Sequence, residues 1–226
     1  MTDNAPDYGR AFALWRAAAP DWAAYTHHAF VEGLRRGDLP RERFLHYLRQ
    51  DYLFLIHFGR AWALAAAKAD DLAEMQAAAA TVHGLTHHEM PLHVAICARA
   101  GIDAATLEAT VEAPANLAYT RYVLEAGYSG DFLDLIAALA PCVLGYGEIG
   151  HRLAGTDGPY AEWIETYAGP EYQAICHNVG ALIDKALARR LGTGWDALPR
   201  HATLSRHFAT ATRLEVGFWD MALSGN

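Results

Sequence analysis

Apolar residues along this chain recur at intervals of three and four, the period of a helix, almost everywhere. Sustained alternation at period two, the mark of a half-buried strand, is absent. The clearest case starts at the turn Gly37-Asp38-Leu39-Pro40, where proline opens a helix cheaply because its missing N–H would be unpaired there anyway. Phe44, Tyr47, Leu48, Asp51, Leu55 and Phe58 follow on one stripe, which continues through Ala61 and Leu64. That spacing predicts a helix of more than about six turns. Further helices are expected over Asp71 to Ala100, closed by Gly101, and from Pro114 through Tyr119 and Tyr122 towards Gly127. Another should run from Gly130 to Leu153 with an interruption at Pro141. Tyr160 to Tyr167, Pro170 to Leu191 and His201 to Leu223 complete the series. No repeat or interdomain linker divides it, so residues 1–226 are expected to form one all-α helical bundle around a single interior.

Composition narrows the partners. Hydrophobic residues make up 53% of the 226 and charged ones 19%, which excludes a disordered chain and supplies a sizeable core. Lys plus Arg number 18 against 26 Asp plus Glu, a formal charge of −8 without a basic stripe, so no nucleic-acid partner is expected. The longest apolar run, Leu135 to Tyr146, is broken by Pro141 and too short for a bilayer, so no membrane span is expected. Met1-Thr2-Asp3-Asn4 is acidic and lacks an apolar stretch, so no secretory signal is expected either. Three widely spaced cysteines, Cys97, Cys142 and Cys176, form neither a disulfide framework nor a zinc knuckle. Reduced thiols in a cytoplasmic protein are the expectation.

Three residues break the helical pattern. Asp51 lies on the apolar stripe, four residues from both Tyr47 and Leu55. A carboxylate facing a core needs a partner: a buried tyrosine, an arginine, a helix end, or a ligand held between helices. Cys142 follows Pro141, whose helix bend could open a pocket, and Tyr146 lies four residues on, on the same face. Cys142 is either a small buried hydrophobe or a reactive thiol. Glu215 borders the stripe of Leu214, Phe218 and Met221, with Trp219 one turn later. It is either a rim carboxylate paired with an arginine or part of a site. The tyrosines suit a core whose hydroxyls reach partners, and an aromatic cavity with few polar groups suits a flat heteroaromatic ligand. Glu148-Ile149-Gly150-His151 has metal-ligand spacing, but a dimetal site requires a second copy that is missing. His87, His88 and His93 are expected to pack between helices or face solvent. No nucleophile elbow, phosphate loop or dinucleotide fingerprint is present.

The ordered segments nonetheless resemble one family, TenA, the thiaminase II group. The resemblance begins near His28-Ala29-Phe30-Val31-Glu32-Gly33 and continues through Gly37 to Pro40 and Gln50-Asp51-Tyr52-Leu53-Phe54-Leu55. It takes in Glu89-Met90-Pro91-Leu92-His93 and the stretch from Pro141 to Gly150. It ends with Trp163 to Gly169 and Glu215-Val216-Gly217-Phe218-Trp219-Asp220. The resemblance implies a haem-oxygenase-like fold without haem, assembled as a homotetramer. It makes Asp51 the carboxylate at the 4-amino side of an aminopyrimidine, Cys142 the nucleophile and Glu215 the acid/base at a ring nitrogen. Tyr119, Tyr146 and Tyr167 correspond to pocket tyrosines. At Phe54 some members carry tyrosine, so a hydroxyl is missing while the stacking face remains.

That resemblance implies an aminopyrimidine aminohydrolase of thiamin salvage that releases hydroxymethylpyrimidine, with no metal or organic cofactor. Such residues fit the chemistry, because sulfur addition at ring C6 makes an enamine that expels a substituent on the 5-methylene. Protonating a ring nitrogen makes the ring electrophilic, and a carboxylate at the exocyclic amine fixes it near sulfur. Two alternatives share the fold: a non-catalytic pyrimidine-binding or regulatory protein, and an oxidase like the PqqC group.

Overall fold

In the computed structural model, which describes residues 5–225, every regular element is helical. The order is α1 (Arg10–Ala18), α2 (Trp22–Thr26), α3 (Ala29–Arg36), α4 (Arg41–Ala67) and α5 (Leu72–Gly84). A π-helical turn, Leu85–Glu89, leads into α6 (Met90–Arg99), α7 (Ala104–Glu108), α8 (Pro114–Ser129) and α9 (Phe132–Ala140). A second π turn, Pro141–Gly145, joins α9 to α10 (Tyr146–Leu153). Then come α11 (Ala161–Ala168), α12 (Pro170–Leu191), a 3-10 turn at Trp195–Ala197 and α13 (Pro199–Ser224). The segment Met1 to Asn4, read above for a secretory signal, lies outside the described residues.

Local chemistry accounts for the helix starts. Pro114, Pro170 and Pro199 each open a helix where no N–H is needed. Asp71, Asp103 and Asp131 cap α5, α7 and α9 by accepting an otherwise unpaired backbone N–H. The short helices α1, α2, α3 and α7 escaped the sequence reading, being too brief for periodicity to declare them.

Pro141 does not interrupt its helix. The run Phe132–Leu153 is continuous over 22 residues, and the π turn accommodates the proline that an α-turn would clash with. This run is long and apolar enough to cross a membrane by length and composition, but all of its most apolar stretch is buried inside the bundle. It is the central strut, wrapped by α4, α8, α12 and α13. The expected uniform helix from Asp71 to Ala100 is likewise divided by a π turn, here just ahead of Pro91. Each π turn therefore adjoins a proline.

Close approach of α10 and α11 depends on Gly150, where a Cβ would run into the backbone of Tyr167 and Ala168. That contact brings the Tyr146 and Tyr167 rings to 5.0 Å, and within α11 Tyr167 lies 4.7 Å from Trp163, one turn away. Backbone cannot yield as a flexible side chain does. A Gly150→Ala protein is expected to lose about 3 kcal/mol of stability. Thermal unfolding should show a fall in Tm of about 6–12 °C.

Candidate active site

A cavity of about 590 Å3 enters the bundle between α4, α5, α12 and the two π turns. Its outer part runs past Glu74, Thr81, His88, Ile175 and Lys185. Asp51, Glu89, Cys142, Tyr146, Tyr167 and Tyr172 bring polar atoms into its wall. Both π turns contribute, the first through Leu85, His88 and Glu89 and the second through Cys142 and Val143. A π turn re-aims the side chains of an otherwise regular helix, a device found mostly at functional sites.

Asp51 is 4% exposed and satisfied within the protein as well as facing the cavity. Tyr47 donates its hydroxyl to Oδ2 at 3.3 Å, and Trp163 Nε1 donates to Tyr47 at 3.3 Å. His93 Nδ1 lies 3.0 Å from the same Oδ2. Burial works against a charge on His93, yet Asp51, with Glu89 beyond it, raises its pKa above the ordinary imidazole value. Both open readings of Asp51 thus hold together: it bonds a buried tyrosine and it lines a cavity.

Glu215 is 1% exposed and, among the described residues, pairs with no arginine, which corrects the rim reading. Tyr119 donates to its Oε1 at 2.8 Å. Burial, opposed by the bond from Tyr119 and reinforced by the charge of Asp51, leaves its pKa raised to about 8. Glu215 and the Cys142 thiol lie near enough that each acts on the other's proton affinity. Burial, then the carboxylates of Glu215, Glu89 and Asp51, drive the pKa of Cys142 well above that of a free cysteine. The resting group is therefore a thiol, whereas the chemistry above calls for a thiolate. It must lose its proton during reaction rather than before it.

Of the seven residues singled out in the sequence, Asp51, Cys142, Tyr146 and Tyr167 line the cavity. Glu215, Tyr119 and Phe54 lie outside its wall, joined by the Tyr119–Glu215 bond and by the Phe54 ring 5.0 Å from that of Tyr119. Phe54 also stacks on Phe58 at 5.4 Å. Trp219 anchors the aromatic floor, 4.8 Å from Phe30 and 5.5 Å from Tyr146.

The histidines divide. His87 and His88 are exposed, as expected of them, but His93 is buried against Asp51. Glu89, four residues earlier, accepts a bond from the Tyr167 hydroxyl at 2.9 Å. The i, i+4 spacing of Glu89 and His93 was the available signal for both. Glu148 and His151 do not share a site. Glu148 is buried against Arg16 at 2.7 Å and accepts from Trp22, while His151 is exposed. Among the described residues no group of three or more His, Cys, Asp and Glu is placed to hold a metal ion.

Comparison with known proteins adds four findings. Residues 15–225 match the TENA/THI-4/PQQC family. A protein from Halalkalibacterium halodurans described as an aminopyrimidine aminohydrolase is 39% identical over 217 residues, 94% of each chain. The crystal structure of a protein from a Silicibacter species, described as a TenA family transcription regulator, superposes with a TM-score of 0.94 at 60% identity. That alignment covers 96% of this chain and 98% of the other. The architecture is haem-oxygenase-like: a Shewanella denitrificans domain described by that fold superposes with a TM-score of 0.72 at 13% identity, over 96% and 93% of the two chains.

Proposed function

This chain belongs to the TENA/THI-4/PQQC family, and from that premise we propose that it is an aminopyrimidine aminohydrolase acting in thiamin salvage. It hydrolyses the C–N bond of 4-amino-5-aminomethyl-2-methylpyrimidine, or of a relative with another 5-substituent such as thiamin, to give hydroxymethylpyrimidine. The observation that carries this reading is the convergence of Asp51 and Cys142, from separate helical segments, on one cavity, with Glu215 buried close enough to raise the pKa of Cys142.

The geometry supports a division of labour. Asp51 accepts from the exocyclic 4-amino group, since both of its internal contacts use Oδ2 and leave Oδ1 for a ligand. Tyr146 and Tyr167 offer ring faces to the pyrimidine, while Tyr119 orients Glu215 and Phe54 backs Tyr119. Glu215, protonated below about pH 8, gives its proton to a ring nitrogen. As it does so it takes the thiol proton, and sulfur bonds to C6. The relay leaves no thiolate exposed in the resting enzyme and forms it only where the ring is electrophilic. The same reading makes the enzyme a cytosolic homotetramer, supported by three free, buried cysteines and by exposed Leu117 and Tyr128 on one face of α8.

The test is to incubate the purified protein with the aminomethylpyrimidine and follow ammonia and hydroxymethylpyrimidine. Stoichiometric release of both is expected. Tight pyrimidine binding without turnover of any 5-substituted analogue would instead make this a binding or regulatory protein. An Asp51→Asn protein should keep the cavity but present a donor where an acceptor is needed. Its KM is expected to rise about 10- to 100-fold, the worth of one hydrogen bond to a charged group. Steady-state kinetics on the aminomethyl substrate check this.

A further inference from the structure

Hydrolysis at the 5-methylene needs two proton transfers beyond the ring. The departing amine must gain a proton as its bond breaks, and the water that replaces it must lose one. Glu215 serves the ring nitrogen and Asp51 the 4-amino group, so neither is placed for this work. The ring itself says where the missing group must stand. Carbon 5 lies between C4, held at Asp51, and C6, attacked by Cys142, so its substituent projects into the space flanked by those two side chains.

Glu89 faces that space. It lines the cavity with Asp51 and Cys142, and the Tyr167 hydroxyl fixes its Oε1 at 2.9 Å. Its placement on the first π turn sets it in the cavity wall. The carboxylate of Asp51 acts on Glu89, and that of Glu89 acts on the Cys142 thiol, across the cavity all three line. Beyond it the cavity continues outward past Thr81 and Ile175, leaving room for a variable substituent.

We propose that Glu89 is the acid that protonates the departing amine and the base that then takes a proton from the attacking water. The assignment rests on the aminopyrimidine reading of the site. In the first half, the adduct's enamine electrons form the exocyclic C=C bond. The C–N pair leaves with nitrogen, and the Glu89 proton completes ammonia. Positive charge left on the ring amidine lies beside the Asp51 carboxylate. In the second half, water oxygen bonds to the methylene carbon and its proton returns to Glu89. The ring electrons are restored, C6–S breaks, and the ring proton returns through Glu215 to sulfur. Burial and the Asp51 charge raise the pKa of Glu89 above the usual carboxylate value, while His93 and Tyr167 temper the effect, which helps it hold a proton to give.

A pair of substrates that differ in their need for a proton tests this. The aminomethylpyrimidine must have its nitrogen protonated to leave; its quaternary trimethylammoniomethyl counterpart leaves as neutral trimethylamine without one. In single-turnover experiments, Glu89→Gln is expected to slow ammonia release about 100-fold or more. Trimethylamine release should change less than about threefold. Glu89→Asp should recover at least about a tenth of the ammonia rate. Unaltered affinity of Glu89→Gln for hydroxymethylpyrimidine shows that the cavity is intact. Equal slowing with both substrates, no slowing with either, or an amine rate that aspartate does not restore overturns the assignment. An unmodified protein that reacts with neither substrate overturns the aminopyrimidine reading instead.

Discussion

A Cys142→Ser protein is expected to bind hydroxymethylpyrimidine as the parent does, yet to hydrolyse the aminomethyl substrate about a thousandfold more slowly or worse. The substitution removes little volume from a wall already formed by Val143, Tyr146 and Tyr167, so the ring should still be held. What changes is the nucleophile. Burial holds Cys142 as a thiol, and in the proposed mechanism sulfur succeeds because Glu215 removes its proton as the ring gains one. A serine hydroxyl is far more weakly acidic and less nucleophilic, and the same relay leaves it unreactive. Turnover assays paired with product quenching of the fluorescence of Trp163 and Trp219, buried against Tyr146 of the cavity wall, separate the two effects. Unchanged turnover would remove covalent catalysis from the mechanism.

The second large effect concerns Glu215. Its folded-state pKa is raised to about 8, so the carboxyl holds its proton at neutral pH and loses it as pH rises through that value. An acid that must be protonated to act therefore yields an activity that declines on the alkaline side. The profile of kcat/KM should fall above about pH 8, reporting the free enzyme. Glu215→Gln should abolish that limb and cost about 10^2- to 10^4-fold in rate, because glutamine can neither give nor relay a proton. Tyr119→Phe should shift the limb upward, since the Tyr119 bond holds the Glu215 pKa down. An alkaline limb that survives in Glu215→Gln would assign it to another group.

How much of this was legible beforehand differs from one residue to the next. Asp51 announced itself, because a carboxylate on an apolar stripe is costly and must have a reason. Glu215 was ambiguous: its neighbours Leu214 and Phe218 place it at the edge of a stripe, and nothing local tells rim from core. The bond that decides the matter comes from Tyr119, 96 residues away. His93 and Glu89 went unread as chemistry, since their i, i+4 spacing on an Ala-rich helix resembles many solvent-facing pairs. Pro141 was expected to break its helix. Proline's effect depends on whether the following turn can widen, and here the surrounding bundle holds a π turn in place.

Periodicity, capping aspartates and helix-opening prolines suffice to specify an all-α chain and the outlines of its long helices, because helical hydrogen bonds and face patterns are local in sequence. The ordered motifs are enough to point to the family. The two π turns, the close approach at Gly150 and the meeting of Asp51, Glu89, Cys142 and Glu215 were decided by tertiary packing. Desolvation is the physical reason. The proton affinities of Cys142 and Glu215 are set by how completely the bundle removes them from water and by which charges it brings near. No spacing along one strand of sequence encodes that.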